Sequence, residues 1–599
     1  RSSLLASSSG SGDAGDLRID TGRLLVRNGA AVSTDTFGSG KGGSLQIKAT
    51  DSVEMIGSSA SDQFRSSLLA SSSGSGDAGD LRIDTGRLLV RNGAVVSTDT
   101  FGSGKGGSLQ IRATDSVEVI GVPALSPGRS GLFAESQGSG DAGDLRIDTG
   151  RLLVRNGAAV STDTFGSGKG GSLQIKATDS VEVTGTSASG QFRSDLLASS
   201  SGSGDAGDLR IDTGRLLVRN GAAVSTDTFG SGKGGSLQIK ATDSVEVIGS
   251  SASGQLPSGL STESQGSGDA GDLRIDTGRL LVRDGAGVST TTGGSGNGGS
   301  LQIKATDSVE VIGVLALSPG RSGLFAESQG SGDAGALRID TGRLLVRDGA
   351  EVSSSSRREG TAGNINITAR DTLEANNGTI STTSDRSSGG SIDITASNIR
   401  LSGNSDITSR VNSGAGGGGK IDIKADSILA FDDSDILTFA REGRGGNITL
   451  DTPVFFGESY TRAPRSTDPA TLDRNNRVDI NATGNLASGT IALPDTTSIQ
   501  NSLTELPENR IDTDSLLASS CIVRRDRPTR GSFTVTGTGG LPQRPGDVQM
   551  SDFPTVDVET LPSDATSSNR SWQKGDPIVE PQGVYRLPNG KLVMSRECY

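Results

Sequence analysis

The stretch from Gly12 to Met55, GDAGDLRIDTGRLLVRNGAAVSTDTFGSGKGGSLQIKATDSVEM, decides the fold. It returns nearly letter for letter from Gly76, Gly140, Gly204, Gly268 and Gly332, at a constant spacing of 64 residues. A fixed period of this kind marks a stacked architecture, in which each unit buries its apolar face against its neighbours. Every unit holds two related halves. One opens Gly15-Asp16-Leu17-Arg18-Ile19-Asp20, the other Gly43-Ser44-Leu45-Gln46-Ile47-Lys48, 28 residues further on. The next unit starts 36 residues later at Gly79, and the additional eight residues are assigned to one loop after Gly57.

Leu, Ile and Val alternate with polar residues in both halves, the period of a strand with one buried face. The Asn28-Gly29 pair and its copies at Asn92, Asn156 and Asn220 supply residues that tolerate positive φ at a tight bend. Each half is therefore expected to form three short strands bent into one coil. Leu17, Ile19, Leu24, Val26, Ala30 and Val32 should point inward and stack on Leu45, Ile47, Val53 and Met55, while Arg18, Asp20, Arg27, Gln46, Lys48 and Glu54 face water. The expected fold is all-β: a right-handed parallel β-helix, a pectin-lyase-like solenoid, with an irregular C-terminal tail.

Three regions follow. Residues 1–362 hold the six long repeats. Residues 363–457 continue the helix in degenerate coils opened by Gly363, Gly390, Gly419 and Gly446. Residues 458–599 are turn-rich, hold most of the prolines and the lone Trp572, and are read as a cap or surface anchor. Short strand-like runs occur there at 532–536 and 583–587. The chain opens in mid-repeat, since Arg1-Ser2-Ser3-Leu4-Leu5-Ala6 matches the run from Arg65. It is thus expected to be the C-terminal part of a longer protein whose export signal precedes it.

Composition narrows the function. The net charge of −13 argues against nucleic acid and anionic lipid as partners, both of which select a basic face. Histidine is absent, which removes the commonest general base and transition-metal ligand. Cys521 and Cys598 are the only cysteines. In a secreted chain the pair reads as a disulfide, worth about 4 kcal/mol in the chain-entropy model, or else as two free thiols.

No constellation singles out an active site. Asp13, Asp16, Asp20 and Asp35 recur down the repeats and do not match the calcium-binding nonapeptide of other β-helices, so they are read as a solvated charged face. Asp432, Asp433 and Asp435 are unique, and are read as turn formers. The Ser33-Thr34-Asp35-Thr36 row lacks the rung-to-rung regularity of a Thr array. The Phe37, Phe101, Phe165 and Phe229 column is expected to stack as a hydrophobic ladder at a bend. The GSGKGG run around Lys41 lacks phosphate-loop spacing. No catalytic, cofactor-binding or metal-binding residue is assigned. Cys521 and Cys598 remain as disulfide candidates.

The coils of the form G-G-x-I-x-I-x-A, the N-G-[AST]-x-[IV]-S turns and the tail segments Ser488-Gly-Thr-Ile-Ala-Leu-Pro494, Ser520-Cys521, Gly539-Gly-Leu-Pro542 and Trp572-Gln-Lys-Gly-Asp-Pro577 resemble the C-terminal portion of cyanobacterial filamentous-haemagglutinin-type exoproteins, also labelled S-layer family proteins. The resemblance implies two-partner secretion: export, passage through an outer-membrane barrel transporter, and residence as a secreted or cell-surface protein associated with the outer membrane. It also implies that Cys521 and Cys598 could serve as a surface tether. The resulting expectation is a non-enzymatic filamentous adhesin or structural protein without cofactors, whose partners are the transporter and cell-surface or matrix glycans and proteins. Two other classes fit. One is a polysaccharide-active β-helix enzyme of pectin lyase or hydrolase type, which would need a unique acidic cluster within residues 363–446. The other is a passive surface-layer or spacer component.

Overall fold

A computed structural model describes residues 2–59, 63–121, 128–314, 321–460, 471–472, 474–494, 559–560, 583–586, 590 and 592–595. The chain forms two units, Arg1–Thr496 and Thr497–Tyr599. Among the described residues there is no α-helix.

The first unit is a parallel β-helix solenoid built from two long sheets. One carries the long strands, such as Leu145–Arg155 and Leu173–Thr184. The other is a sixteen-stranded ladder of short strands, such as Ala159–Ser161 and Asp195–Leu197. Every neighbour within a sheet is the equivalent strand of the next rung, and every such pairing is parallel. A row of single bridges, Thr36 to Ser72 to Thr100 to Ser136 and onward, extends the short sheet by one residue pair per rung.

The expected inward residues are found in the expected register. Leu17 pairs with Leu45, Ile19 with Ile47, Leu24 with Val53 and Val26 with Met55. In the second repeat Leu81, Ile83, Leu88, Val90, Ala94 and Val96 are fully buried. Each rung thus adds one layer of branched side chains, and the layers form one continuous core.

The strand count per coil differs from expectation. The first two of the three expected strands are one continuous strand, bent at a bulge rather than a turn. Alternate long strands have 11 and 12 residues, and the register slips at Thr149/Arg151 against Ala177/Ser180. The surplus residue is accommodated because its partner is glycine. A Cβ at Gly150 would press on the Asp115 carbonyl of the rung before. One of the eight additional residues of each longer coil therefore sits in this bulge, and seven enter the loop after Gly57.

The Asn-Gly bend is as expected. Asn28, Asn92, Asn156 and Asn220 adopt φ of 56–58°, and Asp284 and Asp348 take the same conformation in the last two repeats. The following glycine N–H donates to a serine hydroxyl one rung on, as Gly157 does to Ser194 Oγ at 2.9 Å.

The return corner is built from glycine. In the run Gly166-Ser-Gly168-Lys-Gly170-Gly171, a Cβ on Gly166, Gly168 or Gly171 would overlap the carbonyl of the matching glycine one rung earlier. The carbonyls at this corner are satisfied by buried hydroxyls: Thr162 Oγ1 donates to Gly171 O at 2.7 Å and Thr164 Oγ1 to Gly168 O at 3.0 Å.

The ladder passes the boundary set at residue 457. Ile480–Gly484 pairs with Ile436–Ala440, and Ile491–Ala492 pairs with Ile448–Thr449. The segment Ser488-Gly-Thr-Ile-Ala-Leu is thus the last rung of the solenoid rather than tail. In the second unit, Gly583–Arg586 pairs antiparallel with Leu592–Ser595 and parallel with Glu559–Thr560, in keeping with the strand-like run read at 583–587. The run at 532–536, Trp572, Cys521 and Cys598 lie outside the described residues.

Candidate binding groove

The outer face of the short-strand sheet carries the richest side-chain chemistry of the molecule. In a three-residue strand the middle residue points inward and its two neighbours outward. Leu68 is buried in the core, so Leu69 faces out, and Phe133, Leu197 and Phe325 hold the same place in later repeats, with Ser261 between the last two. The Phe133 ring packs against Gly131, where a Cβ would strike it. Between these bulky residues the alternate rungs place Ser97, Ser161 and Ser225. Two residues further along the coils stands an acid row of Asp35, Asp99, Glu135, Asp163, Asp227, Glu263 and Glu327, interrupted by Ser71, Ser199 and Thr291. Two residues further again stand Phe37, Phe101, Phe165 and Phe229.

The opposite wall is formed by Gly254, Gln255 and Pro257 of the loop after Gly249 and by Arg193 at the end of the loop after Gly185. The ends of these loops, and of the loop after Gly57, are joined by one antiparallel bridge each: Ser58 with Arg65, Thr186 with Arg193, Ser250 with Pro257. An arginine two residues before the short strand ties rungs together. Arg129 Nε donates to Gly157 O at 3.1 Å, and its Nη2 donates to Arg193 O at 2.6 Å and to Asp195 Oδ2 at 2.7 Å. Arg193 repeats the pattern on Gly221 O and Pro257 O. Between loop wall and acid row runs a cleft of about 1060 Å³, whose lining includes Arg193, Leu197, Ser225, Asp227, Glu263 and Phe325. The sequence varies between repeats in the loops after Gly57, Gly121, Gly185, Gly249 and Gly313, a signal that marks this flank. The outward Leu and Phe residues gave no such signal, because in sequence they extend the buried apolar run.

The acid row is electrostatically unusual. Burial pushes Asp99 up to about 6 and Asp163 and Glu263 up to about 7. Glu135 is also raised well above its ordinary value, by burial and by Asp99 and Asp163 on either side. Backbone donors hold the row in place and oppose the shift: Ser199 N–H donates to Asp163 Oδ1 at 2.6 Å and Glu263 N–H to Asp227 Oδ1 at 2.7 Å.

The Asp13 and Asp16 columns are structural acceptors, more specific than the solvated face expected of them, while the Asp20 column forms exposed ion pairs with the Arg18 column. Asp141 Oδ1 accepts from Lys169 N–H at 2.9 Å, and Asp144 Oδ1 accepts from Ser172 N–H and Oγ at 2.8 Å. The arrangement repeats at Asp77, Asp80, Asp205 and Asp208. Asp16 is held below the usual carboxylate range by the Ser44 N–H and hydroxyl. Replacing Asp144 with alanine should therefore cost about 1 kcal/mol, read as a lowered thermal midpoint. The sixth repeat, with Ala336 at the equivalent position, bears the loss already.

Three readings of single residues are resolved by the geometry. Thr34 and Thr36 are fully buried and bond to corner carbonyls, so they form no outward Thr array. The phenylalanine column is not a stacked ladder: its members are separated by Ser73, Gln137 and Ser201 on the rungs between, about 10 Å apart and beyond ring contact. Asp432 and Asp433 take φ of 51° and 61°, as turn formers do. Asp433 Oδ1 accepts from Asn475 N–H at 3.1 Å, and Asp435 Oδ1 accepts from Asp479 N–H at 2.8 Å. Asp435 and Asp479 are fully enclosed. These bonds couple the turn before Ile436–Ala440 to the segment that leads into Ile480–Gly484.

No known protein family, curated protein or solved structure matches the chain.

Proposed function

We propose that this chain is part of a secreted or surface-attached filamentous adhesin or structural protein without catalytic activity, a rod that offers similar binding chemistry repeatedly along its length. The observation that carries this reading is repetition. Leu69, Phe133, Leu197 and Phe325 occupy one column, broken only by Ser261, and with the acid row beside them they present similar chemistry from repeat to repeat. A catalytic site is a single constellation, whereas an array of weak equivalent sites gains strength through simultaneous engagement.

Export through an outer-membrane barrel transporter, by two-partner secretion, follows from the resemblance of the coils and tail. The physics of the rod agrees with it. Each rung contacts only its neighbours, so a chain emerging unfolded can fold rung upon rung. Beads coated with the whole chain should adhere to cells, to extracellular matrix or to immobilised glycans, and should release no sugar from polygalacturonate. Beads that adhere to nothing yet cleave polygalacturonate would overturn the reading.

A further inference from the structure

Phe37, Phe101, Phe165 and Phe229 contribute little to the core, since their side chains are 57%, 48%, 47% and 56% exposed. Their backbones are nonetheless fixed. Phe101 N–H donates to Ser72 O at 2.8 Å, and Phe165 and Phe229 N–H donate to Ser136 O and Ser200 O at 2.7 Å. The rings therefore stand in one line along the rod, one on every second rung, at intervals of about 10 Å. On one side of the line lies the glycine corner, which carries few side chains. On the other lies the acid row, two residues back in each coil and on the same outward face.

Flat apolar faces at a two-rung interval, bordered by hydrogen-bond acceptors, match one kind of polymer. In a β-1,4-linked hexopyranose chain each sugar is turned over relative to the last, so the same face recurs at every second residue, at close to this interval. The axial C–H groups of that face are apolar and stack on aromatic rings, while the equatorial hydroxyls project sideways toward acceptors. An α-1,4-linked chain curls away from a straight line. A polyanion meets the carboxyl row and a net charge of −13.

We propose that the phenylalanine line and the acid row beside it form an extended binding track for a neutral β-1,4-linked polysaccharide. The proposal rests on the adhesive reading and names its ligand class. Electrophoresis of the whole chain through native gels containing hydroxyethylcellulose, soluble starch or pectate tests it, alongside the bead-adhesion assay. Retardation is expected in hydroxyethylcellulose alone. Phe165→Ala should weaken it roughly two- to tenfold. The combined F101A, F165A and F229A variant should lose it with an unchanged thermal midpoint, while Ser201→Ala should leave it intact. The track is overturned if the chain runs unretarded in hydroxyethylcellulose, if pectate or starch retards it equally, or if the triple variant binds like the parent. Adhesion of the beads without retardation would sink the track and leave the adhesive reading standing; loss of both would sink both.

Discussion

Gly168→Ala should destabilise the rod by about 3–5 kcal/mol, while the same change at Gly12 should be nearly neutral. The two residues occupy one column and lie in matching GSG sequences, so local propensity predicts the same effect at both. They differ in what lies beneath them. A Cβ at Gly168 would overlap the carbonyl carbon and oxygen of Gly140 and crowd Asp141 N, whereas in this chain nothing lies within 4 Å of a Cβ at Gly12. The obstacle is backbone on both sides and cannot rotate away. Relief requires the rungs to part, which breaks ladder hydrogen bonds and opens a gap in the core next to Ile147 and Ile175. Denaturant unfolding followed by circular dichroism reads the difference, and hydrogen exchange should place the loosening at the rungs around Gly140 and Gly168. Equal midpoints for Gly168→Ala and Gly12→Ala would refute the stacking explanation of the glycine corner.

A second large effect is expected from pH. The acid row has folded-state values above the ordinary carboxylate range, about 6 for Asp99 and about 7 for Asp163 and Glu263. Below about pH 4 these groups hold their protons in both folded and unfolded chains, and their contribution is fully favourable. As the pH climbs, the unfolded chain ionises first, so the fold loses stability until the pH passes about 7. The loss should reach several kcal/mol across the row, with a higher thermal midpoint at pH 5 than at pH 8. Asp16 runs the other way: its lowered value makes a contribution that disappears in strong acid. Stability should therefore peak near about pH 4. Asp163→Asn and Glu263→Gln should raise the midpoint at pH 8 and leave it nearly unchanged at about pH 4. A parent chain at least as stable at pH 8 as at pH 5 would refute the argument.

The fold was legible because alternation reports which face a residue takes, and repetition at a fixed interval reports what that face meets. Leu17 on Leu45 and Ile19 on Ile47 followed from those two facts alone. What escaped were properties that exist only between rungs. Nothing within Thr21-Gly22-Arg23 announces a bulge, because the need for one arises from the extra residue in the neighbouring strand. The glycines of GSGKGG resemble a flexible linker until another copy lies within contact distance. Leu69 resembles Leu68, yet one faces the groove and the other the core, a distinction set by where a three-residue strand begins. The acid row read as ordinary solvated aspartate because its perturbation comes from burial beside the loop wall.

The alternation of bare and loop-bearing rungs has a consequence for how such a molecule can vary. Within the repeats each 11-residue strand lies between 12-residue neighbours, and the Arg129 side chain reaches the Arg193 main chain, 64 residues away. Removing one rung would bring two strands of equal length side by side and put the arginine clasp out of step; removing two leaves every junction as it was. The interchangeable segments of the chain are whole repeats, each a pair of rungs, so slippage or recombination between copies deletes or adds two rungs together. Length is thus graduated like a ruler, in steps of about 10 Å, and the errors most easily made in copying it are those that keep it in phase.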